Sequence, residues 1–196
     1  MTNIRSLAHR PLADQVDALA GILRGIPALC SLLDALPEGA WIGAGVVCQP
    51  VWNLAAGHPW RRGLKDIDVL FFDPDDHAGE AEEALAAKLA PILPGDLPLD
   101  IVNVARVHTW YEAMFGRAIA PYPDIGSSVA TWPTFASSVV VRGAVTPEEV
   151  IAPFGMADLF GQVVRANRVL VSQEAYEAKV ARWAEWWPEL EIHPWS

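Results

Sequence analysis

Asp66 and Asp68 stand two apart in Lys65-Asp66-Ile67-Asp68-Val69, and a third aspartate, Asp100, opens the apolar run Leu99-Asp100-Ile101-Val102. Side chains alternate across a strand, so residues 66 and 68 share a face about 6.7 Å apart, near enough for both carboxylates to reach one metal ion. Asp100 joins them if its strand is a neighbour. Three converging carboxylates repel unless cations neutralise them, and oxygen-only ligands select Mg²⁺ or Mn²⁺. Two such ions roughly 3.5–4 Å apart form the usual clamp for in-line phosphoryl displacement. An isolated D-x-D is more often a pair of strand-entry or turn residues, so the neighbouring sequence must decide.

Some twenty residues earlier, Gly43-Ala44-Gly45 falls between an expected strand and an expected helix. Glycines there let backbone approach a phosphate, and a helix N-terminus offers free N–H groups and a favourable dipole. Gly43, Ala44 and Gly45 are therefore candidate nucleotide-binding residues, with Asp66, Asp68 and Asp100 as candidate catalytic and metal-ligating residues. Lys65 and Arg106 are candidate phosphate contacts, since a cation must balance charge the metals leave over; solvated surface charge explains them equally well. His108 lies on the face of Arg106 if the third strand persists, where a histidine satisfied by backbone is the plainer reading. Asp73, before Pro74, reads as a turn residue. Cys48 sits near an expected helix N-terminus, where a thiolate is stabilised, but a buried structural cysteine is preferred.

The elements that must position these residues are legible from periodicity. Leu12, Val16, Leu19, Leu23 and Ile26, continued by Leu29, Leu32, Leu33 and Leu36, have helical spacing, which Gly25 and Pro27 divide into two helices. Trp41-Ile42 reads as a strand, Val46 to Ala56 as a helix despite Pro50, and Ile67 to Phe72 as a strand. An Ala-rich helix from about Ala78 to Ala90, capped by Asp75 or Asp76, leads to a strand from Leu99 to Val104. Residues 116–138, rich in Pro, Gly, Ser and Thr, read as a structured loop, and Val139 to Val141 as a short strand. Gly155 to Asn167 and Glu174 to Trp187 read as helices, the second with Tyr176, Val180, Trp183 and Trp187 on one buried stripe. The fold class is α+β, a small mixed sheet flanked by helices. An N-terminal helical segment, 1–38, precedes a domain over 39–196, the two forming one compact unit.

The stretches Ile42-Gly43-Ala44-Gly45, Lys65-Asp66-Ile67-Asp68-Val69 and Leu99-Asp100-Ile101 together resemble the polymerase-β-type nucleotidyltransferase superfamily, and within it the head domain of CCA-adding enzymes. From about residue 40 onward the chain is similar to a bacterial family of nucleotidyltransferases without a defined substrate. Val51-Trp-Asn53, Arg106-Val-His108, Thr131-Trp-Pro-Thr134, Ala152-Pro-Phe-Gly155 and Tyr176 to Trp183 are further matching stretches. The resemblance implies the fold and the metal carboxylates, not the acceptor. Where CCA-adding enzymes carry an Arg-Asp pair after the glycines, this chain has Val47-Cys48-Gln49-Pro50, so CCA addition itself is not expected.

Composition narrows the partners. With 24 acidic against 14 basic residues, a net charge of −10 and no Lys/Arg run, nucleic acid is disfavoured as the main partner. No stretch approaches the roughly 20 apolar residues of a membrane span, the N-terminus lacks the pattern of a signal peptide, and two isolated cysteines suit a reducing compartment; the expectation is a cytoplasmic protein. The function expected is metal-dependent transfer of a nucleoside monophosphate from a nucleoside triphosphate to a hydroxyl acceptor, a small molecule or a protein. The alternatives are a catalytically degenerate nucleotide-binding protein of the same fold and a glycosyltransferase, whose D-x-D also binds a metal and a nucleotide.

Overall fold

A computed structural model describes residues 3–93, 95 and 97–195, so the outermost residues of both expected segments lie outside it. The chain opens with a 3-10 turn and two helices, α1 (Leu12–Arg24) and α2 (Pro27–Ala35). Pro27 begins α2 at a position where its missing N–H costs nothing, and the two helices bend by 105° at the break. Strand β1 (Trp41–Gly43) feeds α3 (Gly45–Ala56), which tolerates Pro50 inside it and ends on the left-handed Gly57. β2 (Ile67–Phe71), α4 (Glu80–Leu89) and β3 (Leu99–Asn103) follow. Gly79 caps α4, and Asp76 acts one step earlier, accepting from the Gly79 N–H at 2.9 Å. Three glutamates in the first turn of α4 favour its dipole.

Beyond β3 the expected continuation gives way to a 3-10 turn and α5 (Val107–Phe115). Only Val107 of α5 is fully buried, so the helix has almost no core stripe to read from sequence. The loop expected over 116–138 contains α6 (Ile125–Val129), whose first turn is capped by the Asp124 carboxylate accepting from Ser127 N–H at 2.7 Å. β4 (Val140–Val141) and β5 (Val150–Ile151) complete the main sheet. The helix expected from Gly155 to Asn167 is a single short α7 (Ala157–Gly161), because the chain turns left-handed at Gln162 and enters β6 (Val163–Val164). α8 (Gln173–Trp186) and β7 (Glu191–Ile192) close the chain, with β7 parallel to β6.

The main sheet is mixed, in the order β3-β2-β1-β4-β5, with β2 and β3 parallel and the other neighbours antiparallel. Strand alternation sorts its residues cleanly. Ile42, Ile67, Val69 and Val141 face one continuous core with Val16, Leu19 and Leu23 of α1, Leu32 of α2 and Val47, Val51 and Trp52 of α3. Trp41, Leu70 and Val140 face the other way into a smaller cluster with Val104, Ile125 and Val129. Asp68 and Asp100 belong by parity to this second face. The tryptophans are mostly structural: Trp52 meets Trp183 and Trp187 edge-on at 5.0 and 5.5 Å, and the Trp187 indole donates to Asn53 at 2.8 Å. No single helix among the described residues is long and apolar enough to cross a membrane.

Candidate active site

The sheet register builds the site. Gly43 of β1 lies opposite Asp68 of β2, and Asp68 lies beside Asp100 of β3, so the three form one row across adjacent strands. Neighbouring strands are about 4.8 Å apart, which puts the two carboxylates side by side on one face. Asp66 precedes β2, and its charge acts on both. Burial first, then Asp66, then Asp100 push the Asp68 carboxyl up to about 7, against the opposing pull of Lys179. Asp100 is also raised, by desolvation, then by Asp66 and Glu82. Among the described residues, no group of three or more carboxylate, histidine or cysteine side chains closes into a metal-sized cage.

Next to the row, α3 begins with no side-chain cap, so its first N–H groups point outward unpartnered by side chains. Ala44, immediately before it, has φ 53° and ψ −121°, a conformation that normally belongs to glycine. Gly45 is constrained by Gln49, whose amide nitrogen lies 3.0 Å from where a β-carbon would stand. Gln49 is 7 % exposed and its Oε1 has no partner among the described residues. An unpaired amide oxygen buried beside an open helix N-terminus is costly, and a bound polar ligand would offset that cost. Gly43 has a different reason to be glycine: a β-carbon would meet the Val140 side chain and come within 2.7 Å of the Trp132 ring.

The other expected residues fall as follows. Lys65 is exposed just ahead of Asp66. Arg106 is paired with Glu82, its guanidinium 2.9 Å from the carboxylate; Glu82 also accepts from the Asn103 N–H at 2.8 Å. Arg106 thus secures the end of β3 through α4. His108 is on α5 and not on a prolonged strand, and its Nδ1 has no partner among the described residues instead of the backbone partner expected. Cys48 is fully buried and its thiol is pushed up to about 12 by burial, which leaves it inert. Asp73 fits the turn role: its carboxylate accepts from Asp75 N–H at 3.0 Å, and its backbone is held by Asn103 at 3.0 and 2.8 Å.

The sequence model of a family described as nucleotidyltransferase matches residues 35–192. The chain belongs to this nucleotidyltransferase family. Its fold is similar to a protein whose NMR structure reveals a CCA-adding enzyme head domain, at TM-score 0.70 and 22% identity over 97% of this chain and 99% of that one. It is also similar to the Thermotoga maritima CCA-adding enzyme complexed with tRNA, at TM-score 0.50 and 14% identity, covering 92% of this chain but only 42% of that enzyme. No curated protein matches it significantly. The family supports nucleotidyl transfer as the activity and a nucleoside triphosphate as substrate.

Beside the candidate site lies a cation that no motif in the sequence marks. Lys179 of α8 is half-buried, its ammonium 4.8 Å from the Trp183 ring centre, and it interacts electrostatically with Cys48, Asp68 and Asp66. Desolvation lowers its pKa, and those three neighbours, opposed by Arg182, raise it again. The signal was present: 179 follows Tyr176 by three and precedes Trp183 by four, so it borders the buried stripe of α8. Gln49 left no comparable trace, because only the packing at Gly45 distinguishes it.

Proposed function

We propose that this nucleotidyltransferase moves a nucleoside monophosphate from a nucleoside triphosphate to a hydroxyl acceptor, with Asp66, Asp68 and Asp100 holding Mg²⁺ or Mn²⁺. The observation that carries the reading is the row of Gly43, Asp68 and Asp100, with the uncapped start of α3 at one end. The donor set fits such an ion. It is all oxygen, and burial together with the repulsion of Asp66 and Asp100 lifts Asp68 to about 7. When bound, the ion supplies charge neutralisation and acidifies the attacking hydroxyl.

The chain's own groups supply the rest. The N–H groups at the start of α3 hold the leaving phosphates. Lys179 balances charge beside Asp66 and Asp68 and contacts the triphosphate; Lys65 serves the outer edge. Asp100, made more basic by burial and by Asp66 and Glu82, accepts the acceptor's proton. The acceptor oxygen bonds to the α-phosphorus, the bond from that phosphorus to the β-phosphate oxygen breaks, and pyrophosphate leaves.

The test is a thermal-shift panel of the four ribonucleoside triphosphates with Mg²⁺ or Mn²⁺, on wild type and on Asp66→Asn/Asp68→Asn. Ligand at 100 times Kd stabilises by about 2.7 kcal/mol, a readily measured rise in Tm. Metal-dependent stabilisation that vanishes in the double variant supports the reading. A flat response at millimolar triphosphate sinks it.

A further inference from the structure

The face bearing Asp68 and Asp100 opens into a cavity of about 410 Å³ walled by β2, β3, α5, α6, the 131–133 segment and the start of α8. That volume suits a small molecule, since such sites run from about 300 to 1,000 Å³. Five aromatic side chains line it: Trp110, Tyr111, Phe115, Tyr122 and Trp132. Its charged groups are the two carboxylates; no Lys, Arg or His is among the described residues lining it. Arg117, which acts electrostatically on the Tyr111 phenol, gives its guanidinium to the Val169 carbonyl at 3.2 Å. An anionic group held along the walls away from the carboxylates would therefore find no lining cation to pair with it, and in metal-free protein it would also face two carboxylates. Lys179, Lys65 and the α3 terminus, the groups suited to phosphate, lie outside its walls.

We propose, resting on the transferase reading above, that the cavity binds the acceptor, and that the acceptor is a ring-bearing hydroxyl compound without negative charge. In-line displacement requires the attacking oxygen and the leaving pyrophosphate on opposite sides of the α-phosphorus. The phosphate-binding end of the row is at Gly43 and α3. The opposite end is Asp100, and the wall continues from Asp100 through Val102 and Val107 to Trp110 and Tyr111. Aromatic walls bury a ring, and their electron-rich faces also accept a cation. Polar atoms at the far wall orient it: the Tyr122 hydroxyl and Thr131 Oγ1 are 2.8 Å apart, and Thr131 is anchored on the Ser128 carbonyl at 2.8 Å. The acceptor O–H bond breaks with its proton passing to Asp100, the O–Pα bond forms, and pyrophosphate carries away the electron pair of the broken Pα–O bond.

Three matched probes test this by calorimetry on the full chain at millimolar concentration: 2-(4-hydroxyphenyl)ethanol, neutral; tyramine, cationic; and 4-hydroxyphenylacetate, anionic. Triphosphate–Mg²⁺ stabilisation is followed in parallel by thermal shift. Ala175 lines the cavity from an exposed position on α8, so Ala175→Trp fills the cavity without disturbing the core. Tyr111→Ala, which removes one wall, is the second variant. The neutral and cationic probes are expected to bind at least tenfold more tightly than the anion. Each variant is expected to lose at least fivefold of that affinity while triphosphate stabilisation stays within twofold. Equal or tighter binding of the anion, or no binding of any probe, overturns the proposal. Loss of triphosphate stabilisation in Ala175→Trp also overturns it, since the cavity would then hold the nucleobase. Probe binding in a wild type that ignores triphosphate would uphold the ligand class and instead remove the transferase reading.

Discussion

Asp68 pays for its position in a way that pH exposes. Its folded-state pKa is raised from 3.8 to about 7 by burial, Asp66 and Asp100, so the folded chain binds more protons than the unfolded one between those values. Its contribution to stability therefore falls as pH rises through that window and is most unfavourable above 7. A rise of that size corresponds to about 4 kcal/mol at full burial, and partial solvent access reduces this to roughly 2. In metal-free protein, Asp68→Asn is expected to raise Tm at pH 8 and leave it nearly unchanged at pH 4; an equal effect at both pH values would contradict this account of the carboxyl. Lys179 is the residue-scale test of phosphate contact. Lys179→Met keeps the stem over Trp183 and removes the charge, and should weaken triphosphate–Mg²⁺ binding about tenfold, or ~1.4 kcal/mol, read as a smaller thermal shift. The placement of the aspartates was legible because alternation along a strand puts 66 and 68 on one face and Asp100 opens the neighbouring strand. Lys179 and Gln49 were not, since a lysine on a helix and a glutamine beside a glycine are ordinary until packing encloses them.

The turn between β1 and α3 is where the elements meet the chemistry. Its glycines suggested phosphate approach from sequence, and two of the three positions have more specific reasons. Gly43 leaves room for Trp132, a wall of the cavity, so Gly43→Ala forces that ring aside. Overpacking of this kind costs about 1–3 kcal/mol, and a melting curve with a change in tryptophan emission would report both effects. Ala44 is the opposite case, a non-glycine held at φ 53°, ψ −121°. Such backbone costs about 1–3 kcal/mol, while glycine's extra unfolded freedom returns about 0.5–1. Ala44→Gly should therefore gain roughly 1 kcal/mol, a Tm rise of about 2–4 °C for a chain of this size; an unchanged or lowered Tm would deny the strain. The strands and long helices were readable because each buries one side. α5 was not, since it lines a cavity instead of a core, and α7 fell short of its expected span because Gln162 turns left-handed to start β6.

At the scale of the molecule, the division into an N-terminal helical segment and a domain from residue 39 is a statement about cores. α1 and α2 contribute Val16, Leu19, Leu23, Leu29, Leu32 and Leu33, none more than 2 % exposed, to the same cluster as Ile42, Val47, Val51, Ile67 and Val69. Fully burying each such side chain is worth about 1.5–3 kcal/mol, so the six together supply roughly 9–18, as large as the whole stability of a typical domain. Without them, the back of the sheet and the apolar flank of α3 would face water, and α3 could no longer present its open end beside Asp68. Residues 39–196 produced alone are therefore expected to show no cooperative thermal transition and to bind a hydrophobic dye, while the full chain melts sharply. A sharp transition in the shortened chain, with triphosphate response retained, would make the helical segment an appendage. Absence of that transition would mean that a helical segment outside the site is what holds the carboxylates' sheet in place.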